Sequence, residues 1–339
     1  MYIYHTFERE NLNRVNNIAI RMRRDRAIFK VNGSLKVCLF INISDISLKL
    51  FSDKRFSNKY KPIVYHSDHS RISVSEYLMK FNIKCIVLET SNISHLNKDV
   101  ANEIVKARKN GIKVYEAHEF YEIVNKRIPL VRLESNVYLA DDIFTIGQKQ
   151  EKFNIKRFVD ITVSVLLLPA VIPLIILGFI LVKLSSNGNA LFSQQRVGKN
   201  SKTFTIYKIR TMVSSHNGHF TTNNDARVNR IGKFLRMTKI DELPQLWNIL
   251  KGDMSLIGPR PERPHFVKIS NDENAMFDLR HLIKPGVTGW AQVNLPKATP
   301  KDNLEKLEYD LFYIKNYSLL FDILIVFKTI KIVFTLNSN

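Results

Sequence analysis

The chain has 339 residues, 45% of them hydrophobic, enough for two domains with a core each. Its 51 Lys and Arg outnumber 31 Asp and Glu, and the net charge of +20 favours anionic partners: nucleic acid, acidic lipid headgroups or phosphorylated substrates. The two cysteines, Cys38 and Cys85, lie inside apolar runs, which excludes a disulfide framework and reads as buried reduced thiols.

Residues 1–32 are mixed and basic, with "RMRRDR" at Arg21 to Arg26, and take no fold assignment. The start, "MYIYHTFERE", has no basic and then apolar run of the secretory kind. Over 33–150, short apolar runs alternate with helical spacing. "KVCLFINI" from Lys36, "KPIVYH" from Lys61, "KCIVLET" from Lys84 and "IKVYEAH" from Ile112 read as strands. "SHLNKDVANEIVKARKNG" reads as a helix from Ser94 that stops at Gly111. The alternation predicts a parallel α/β sheet, a Rossmann-like domain. No G-x-G-x-x-G follows the first strand, so a structural or regulatory role is expected there, not dinucleotide binding.

The third segment, 151–339, opens with "ITVSVLLLPAVIPLIILGFILV", 22 residues between Asp160 and Lys183 without a charge. As a helix it would be roughly 33 Å long, enough for a bilayer core of about 30 Å. Pro169 and Pro173 fall in its middle, where each removes a backbone hydrogen bond and favours a bend. Both flanks are basic, with Lys152, Lys156 and Arg157 before and Lys183, Arg196 and Lys199 after, so the positive-inside rule selects neither end for the far side. A helix over about 157–184 that enters, bends and returns to the same face fits both facts. A kinked helix that spans the bilayer is the alternative. Next comes a one-sided stretch with eleven Lys or Arg and one acid between Lys183 and Lys239. Near the end, "SLLFDILIVFKTIKIVF" from Ser318 reads either as a helix in the membrane interface or as a core helix.

The chemistry centres on "TKIDELPQLWNILKGDMSLIGPRPERP", from Thr238 to Pro264. Pro244 suits a first helical turn, which places Asp241 and Glu242 at a helix start. Two readings follow. The carboxylates cap the helix and complement its dipole. Or, beside the basic stretch, one attacks a phosphorus atom while the other holds a divalent metal. The turn Gly258-Pro259-Arg260-Pro261 is either ordinary or a rigid mount for one guanidinium, suited to bidentate phosphate contact.

Residues from about 152 to 339 resemble the bacterial sugar transferases, the monotopic phosphoglycosyl transferases. The likeness rests on "KRFVD" at Lys156, "PLIILGFILVKLSSNG" at Pro173, "LFSQQRVGKNSKTFTIYKIRTM" at Leu191 and "RIGKFLRMTKIDELPQLWNILKGDMSLIGPRPE" at Arg230. It continues through "IKPGVTGWAQVN" at Ile283 and "LEYDLFYIKNYSLLFDILIVFKTI" at Leu307. The resemblance implies transfer of a sugar 1-phosphate from a UDP-sugar to polyprenyl (undecaprenyl) phosphate, with UMP released, as the first membrane step of polysaccharide synthesis. It implies a mostly helical catalytic domain with one re-entrant membrane helix, bent at Pro173. Asp241 matches the nucleophile that forms a phosphosugar intermediate and Glu242 the ligand of Mg2+ (or Mn2+). Arg260, between Pro259 and Pro261, matches the arginine that handles the nucleotide sugar. Arg196, Lys208, Arg210 and Arg236 match basic positions around the phosphates. Anionic membrane lipids are expected partners, oligomeric state is open, and the catalytic domain is expected on the cytoplasmic face of the bacterial inner membrane.

The sequence departs from the family pattern at Gly188-Asn189, where Gly-Pro is common, and at Leu295, where glycine is usual. The family's longer members begin with transmembrane helices that have no counterpart in the first 150 residues. "EFYEIVNKRIPL" at Glu119 resembles the helix that leads out of their Rossmann-like domain. A membrane-tethered, non-catalytic scaffold of polysaccharide assembly is the competing class, and the intact acidic pair argues for the enzyme. Nucleic-acid binding is suggested by charge alone, and no recognition motif accompanies it.

Overall fold

The computed structural model describes residues 35–66, 73–89, 96–130, 150–212 and 227–335, with 150–153 as backbone alone. The basic segment 1–32 lies outside the described residues. The chain divides into two compact units, Met1–Val131 and Arg132–Asn339.

The first unit runs β1 (Lys36–Ile41), α1 (Asp45–Ser52), α2 (Lys54–Ser57), β2 (Tyr60–Tyr65), α3 (Val74–Lys80), β3 (Ile83–Leu88), α4 (Lys98–Lys109), β4 (Lys113–Glu116) and α5 (Ala117–Asn125). Its strands form one parallel sheet in the order β2-β1-β3-β4. That order is shared with flavodoxin-type doubly wound sheets. The central strand β1 is buried on both faces, which is why it reads as a continuous apolar run and not as an alternation. Cys38 and Phe40 pack with Leu50, Phe56 and Phe120 of α1, α2 and α5. Val37, Leu39 and Ile41 pack with Val74, Val100 and Ile104 of α3 and α4. Polar caps fix the helix starts: Ser73 accepts from the Glu76 amide at 3.2 Å, and Asn97 from that of Asp99 at 3.1 Å. Cys38 and Cys85 are free, buried neighbours on β1 and β3.

The second unit is mostly helical. It begins with α6 (Gln150–Ser185), followed by an antiparallel hairpin of β5 (Leu191–Val197) and β6 (Thr203–Ile209). After it come α7 (Arg230–Thr238), a 3-10 turn over Ile240–Glu242, α8 (Gln245–Lys251), β7 (Ser255–Ile257) and α9 (Pro264–Glu273). A 3-10 segment over Ala275–Leu282 leads to β8 (Gly286–Thr288), which pairs in parallel with β7. The unit closes with α10 (Trp290–Asn294), α11 (Asn303–Lys315) and α12 (Leu319–Phe334).

Helix α6 runs unbroken through Pro169 and Pro173. One stripe of it is covered: Val171 and Ile175 pack on Ile206, Leu246 and Ile249, and Phe179 and Val182 on Ile209 and Leu235. The rest is bare, and only 17% of its most apolar window is buried. A core helix of a soluble protein hides such a face, so this one meets lipid. Helix α12 is bare as well, with Leu320, Ile323, Phe327 and Phe334 exposed.

The "KRFVD" stretch explains how so apolar a helix is held in register. The Lys156 Nζ donates to Asp322 Oδ2 on α12 at 2.7 Å. The Arg157 guanidinium donates to the carbonyls of Ile249 and Leu250 in the last turn of α8. Asp160 accepts from the Ser255 hydroxyl and the Leu256 amide, both at 3.1 Å. Three charged residues within little more than one helical turn thus tie α6 to α12, α8 and β7.

Candidate active site

Helix α7 ends at Lys239, whose left-handed backbone (φ 59°) turns the chain into the 3-10 turn that carries Asp241 and Glu242. Neither carboxylate caps a helix. Helix α8 begins at Gln245 after Pro244, and it has no side-chain cap. Both carboxylates are buried instead, at 7% and 9% exposure. That removes the capping reading and leaves the cost of two buried acids to be met by other contacts.

Glu242 is clamped. Its Oε1 accepts from Lys208 Nζ of β6 and from Arg260 Nη2, each at 2.8 Å. Burial works against its ionisation, but the Arg260 and Lys208 charges outweigh burial and hold the carboxyl well below the usual range. Asp241 is in the opposite situation. Its Oδ1 is buried with no hydrogen-bond partner among the described residues. Burial, and then the neighbouring Glu242 charge, push it up to about 6 against the pull of Lys208, Lys239 and Arg236. Two adjacent acids are therefore differentiated, one a fixed anion and one a carboxylate poorly satisfied by the protein.

Arg260 is mounted rigidly. A turn with prolines on both sides has few amides to donate, so it is held through its carbonyls. The Pro259 carbonyl accepts from the Gly286 amide at 2.9 Å, the Arg260 carbonyl from Arg280 Nη2 at 3.0 Å, and the Pro261 carbonyl from Arg196 Nη1 at 3.1 Å. Arg280 is itself paired with Asp310 at 2.7 Å, both 1% exposed. Glycine is required at the β7–β8 contact, because a Cβ at Gly258, Gly286 or Gly289 would meet backbone of the facing strand or turn.

Glu242 opens on a cleft of about 540 Å³, with Asp241 beside it on the same turn. Its polar end carries Lys239, Glu242, Arg260, Glu262, Arg280 and Lys306. Its other walls are apolar, with Leu167 and Val171 from α6 and Ile332 and Val333 from α12. The apolar side of the cleft is thus formed by α6 and α12, the two helices with bare outer faces.

The residues singled out in the sequence fall into three groups. Asp241, Glu242, Lys208 and Arg260, with the Pro259 and Pro261 that frame it, come together directly. Arg196 lies behind the turn: it also bonds Gln194 and sits 3.9 Å from Glu262, and burial pushes it down to about 10. Arg236 donates from Nε to Thr211 and acts on Asp241 by charge. Arg210 is bound to the end of α6, donating to the carbonyls of Ser186 and Asn187. Sequence reasoning passed over Lys239, Glu262, Arg280, Lys306 and Asp310. Lys239, Glu262 and Asp310 lie inside stretches already quoted. Arg280 carries no local signal, since its partners are 20 and 30 residues away.

Residues 151–336, more than half of the chain, match the model of the bacterial sugar transferase family. The chain belongs to that family. It is 42% identical over 231 residues to a UDP-N-acetylgalactosamine-undecaprenyl-phosphate N-acetylgalactosaminephosphotransferase of Aeromonas hydrophila, across 66% of this chain and 53% of that protein. It is 41% identical over 186 residues to the UDP-glucose:undecaprenyl-phosphate glucose-1-phosphate transferase of Escherichia coli K12, across 52% of this chain and 39% of that protein. It is 37% identical to the uncharacterized sugar transferase EpsL of Bacillus subtilis, across 52% of this chain and 86% of that protein. The chain thus spans about half the length of the Aeromonas relative and less of the Escherichia one. In this bacterial sugar transferase, the matched region holds the long apolar helix, the acidic pair and the cleft.

Proposed function

We propose that this bacterial sugar transferase moves a sugar 1-phosphate from a UDP-sugar to polyprenyl phosphate at the cytoplasmic face of the inner membrane. The observation that carries the reading is the cleft: Glu242, next to Asp241, and cations at one end, apolar walls from α6 and α12 at the other. Such a cavity suits a reaction whose acceptor is a phosphate on a long apolar chain. The names of the Aeromonas and Escherichia relatives pair a UDP-sugar with undecaprenyl phosphate in the same way.

In the first step an Asp241 oxygen attacks the phosphorus that bears the sugar. The bond from that phosphorus to the bridging oxygen breaks, and UMP leaves with the electron pair. In the second step a phosphate oxygen of polyprenyl phosphate attacks the same phosphorus. The bond to Asp241 breaks, the carboxylate is restored, and the product is a polyprenyl diphosphate sugar. Asp241 suits the first role because its anion is the less stabilised of the two, and so the more reactive. Arg260 and Lys208 keep Glu242 ionised beside it.

A divalent cation fits this site. No group of three or more potential protein ligands occurs among the described residues, and magnesium characteristically takes one or two carboxylates and completes its shell with phosphate and water. Glu242 Oε2 makes no hydrogen bond among the described residues, because Lys208 and Arg260 both use Oε1, so Glu242 would hold the ion. When bound, the ion would supply neutralisation of phosphate charge.

For donor and acceptor to meet on one face, α6 would enter and leave on the cytoplasmic side, bent near Pro169 and Pro173. Its basic flanks would lie on anionic headgroups, with α12 in the interface. The first unit would serve as a Rossmann-like, non-catalytic module. The deciding experiment is UMP release from a panel of UDP-sugars by membranes supplied with polyprenyl phosphate and magnesium. Asp241→Asn should fold, stay on the membrane and release UMP at background. Near-normal release by that variant would remove the covalent mechanism, and full activity in excess EDTA would remove the metal.

A further inference from the structure

Four cations line the cleft among the described residues: Lys239, Arg260, Arg280 and Lys306. Three are already committed. Arg260 is paired with Glu242 at 2.8 Å and Arg280 with Asp310 at 2.7 Å. Lys306 Nζ donates to Glu262 at 3.1 Å and to Asn303 at 3.0 Å. Lys208, behind Glu242, is committed to it as well. An anion entering the cleft meets each of these groups already paired with a carboxylate.

Lys239 differs. Its ammonium makes no hydrogen bond or ion pair among the described residues, while its charge acts on both Asp241 and Glu242. Its backbone is left-handed, a conformation that lysine rarely adopts and that costs energy. That backbone closes α7 and starts the next turn: its amide donates to the Arg236 carbonyl, its carbonyl accepts from the Glu242 amide, and neither bond calls for a lysine side chain. Asparagine or glycine would end α7 with less strain. What the position gains from lysine is a flexible point charge two residues before Asp241, at the mouth of the cleft.

We propose that Lys239 is a further catalytic residue, whose ammonium binds the phosphoryl group under attack by Asp241. The inference rests on the transferase reading above. The chemistry calls for such a group. An anionic carboxylate approaches an anionic diphosphate, and the repulsion is greatest where charge builds on the oxygens of the transferring phosphoryl. A lysine on a flexible stem can follow those oxygens from diphosphate to enzyme-bound phosphosugar without breaking an ion pair. Arg260 cannot do so, since its guanidinium is tied to Glu242 and its backbone to Arg280.

The test is single-turnover UMP release by wild type, Lys239→Asn and Lys239→Arg. Asparagine tolerates the left-handed backbone and carries no charge, and arginine keeps the charge. Thermal stability at or above wild type is expected for Lys239→Asn, and wild-type stability for Lys239→Arg. Removal of one preorganised donor costs on the order of 100-fold to 1,000-fold, so Lys239→Asn should be slowed by about that much. Its kcat and kcat/KM should fall together, the mark of an interaction made in the transition state. Lys239→Arg should lie within about tenfold of wild type. Wild-type rates in Lys239→Asn, or equal loss in both variants, would overturn the assignment. Absence of UMP release from wild type itself would instead strike the transferase reading on which it stands.

Discussion

Lys156→Met tests how the membrane helix is joined to the catalytic body. The Lys156 and Asp322 side chains are 9% and 11% exposed, 2.7 Å apart, and Asp322 also accepts from the Tyr313 hydroxyl at 2.6 Å. Methionine keeps the apolar stem and removes the charge, so a buried carboxylate is left with one neutral donor. Breaking a buried pair from one side costs about 3–5 kcal/mol. At about 2–4 °C per kcal/mol for a unit of this size, the melting temperature should fall by roughly 6–20 °C. The chain has two tryptophans, and Trp290 lies 4.8 Å from Phe321 on α12, so its fluorescence reports whether α12 is docked. The double variant Lys156→Met, Asp322→Asn removes both charges and keeps an acceptor for Tyr313. It should recover most of the loss, a coupling of a few kcal/mol, because the penalty is the orphaned charge and not the absent bridge. A fall of less than about 2 °C in the single variant, or simple additivity in the double, would refute the reasoning.

Gly286→Ala places a Cβ against the Gly258 backbone and should cost about 1–3 kcal/mol while displacing the Arg260 turn, so both melting temperature and UMP release should drop; wild-type values for both would contradict it. Burial, then the Arg280 charge, push His281 from 6.5 down to about 4, so the unfolded chain binds a proton that the native chain refuses as pH falls through that window. Stability should decline by about 2 kcal/mol from pH 7 to pH 5 through this group. Asp310, pushed up to about 6, acts in the opposite direction, so the observable is a shallower decline in His281→Asn than in wild type. Single cysteines at the exposed Ser57 and Lys202, with Cys38 and Cys85 replaced, should both resist an impermeant thiol reagent in intact cells and react after lysis. Labelling of one site alone in intact cells would mean that α6 spans the bilayer.

The sequence was most legible where a periodicity or a breaker has one physical meaning. The strands of the first unit are read correctly because β1 and β3 are buried on both faces and carry unbroken apolar runs. Helix α4 stops just before Gly111, as its pattern suggests, but it starts at Lys98 behind the Asn97 cap and not at Ser94. The length of α6 follows from the absence of charge. Less was legible in the second unit. The β5–β6 hairpin turns at Lys199–Ser201, where Asn200 and Ser201 take positive φ. Gly198, Asn200 and Ser201 are turn formers, but the strands beside them carry no unbroken apolar run to mark them as strands. The charges of "KRFVD" look like a basic flank, yet two of them are buried and all three are hydrogen-bonded to distant elements. The Asp-Glu pair was found from its neighbours in sequence, but the reason the two acids differ lies in Lys208 and Arg260, which arrive from either side along the chain.

That difference links fold to function. Two adjacent carboxylates on one turn start with nearly equal chemistry, and sequence distance cannot separate them. Separation comes from the supports. Glu242 receives a lysine from β6 and an arginine from a turn whose three carbonyls are held by Gly286, Arg280 and Arg196. Each of these holders is anchored in turn: Arg280 on Asp310 of α11, Arg196 beside Glu262, and Gly286 in the β7–β8 contact, where Asp160 of α6 binds β7. The electrostatic division of the pair is therefore a property of the whole unit, including the membrane helix. A displacement of α6 is thus expected to act through Asp160, β7 and the proline turn on the charge beside Asp241. On this argument, substitutions in "KRFVD" alter the chemistry without touching the cleft.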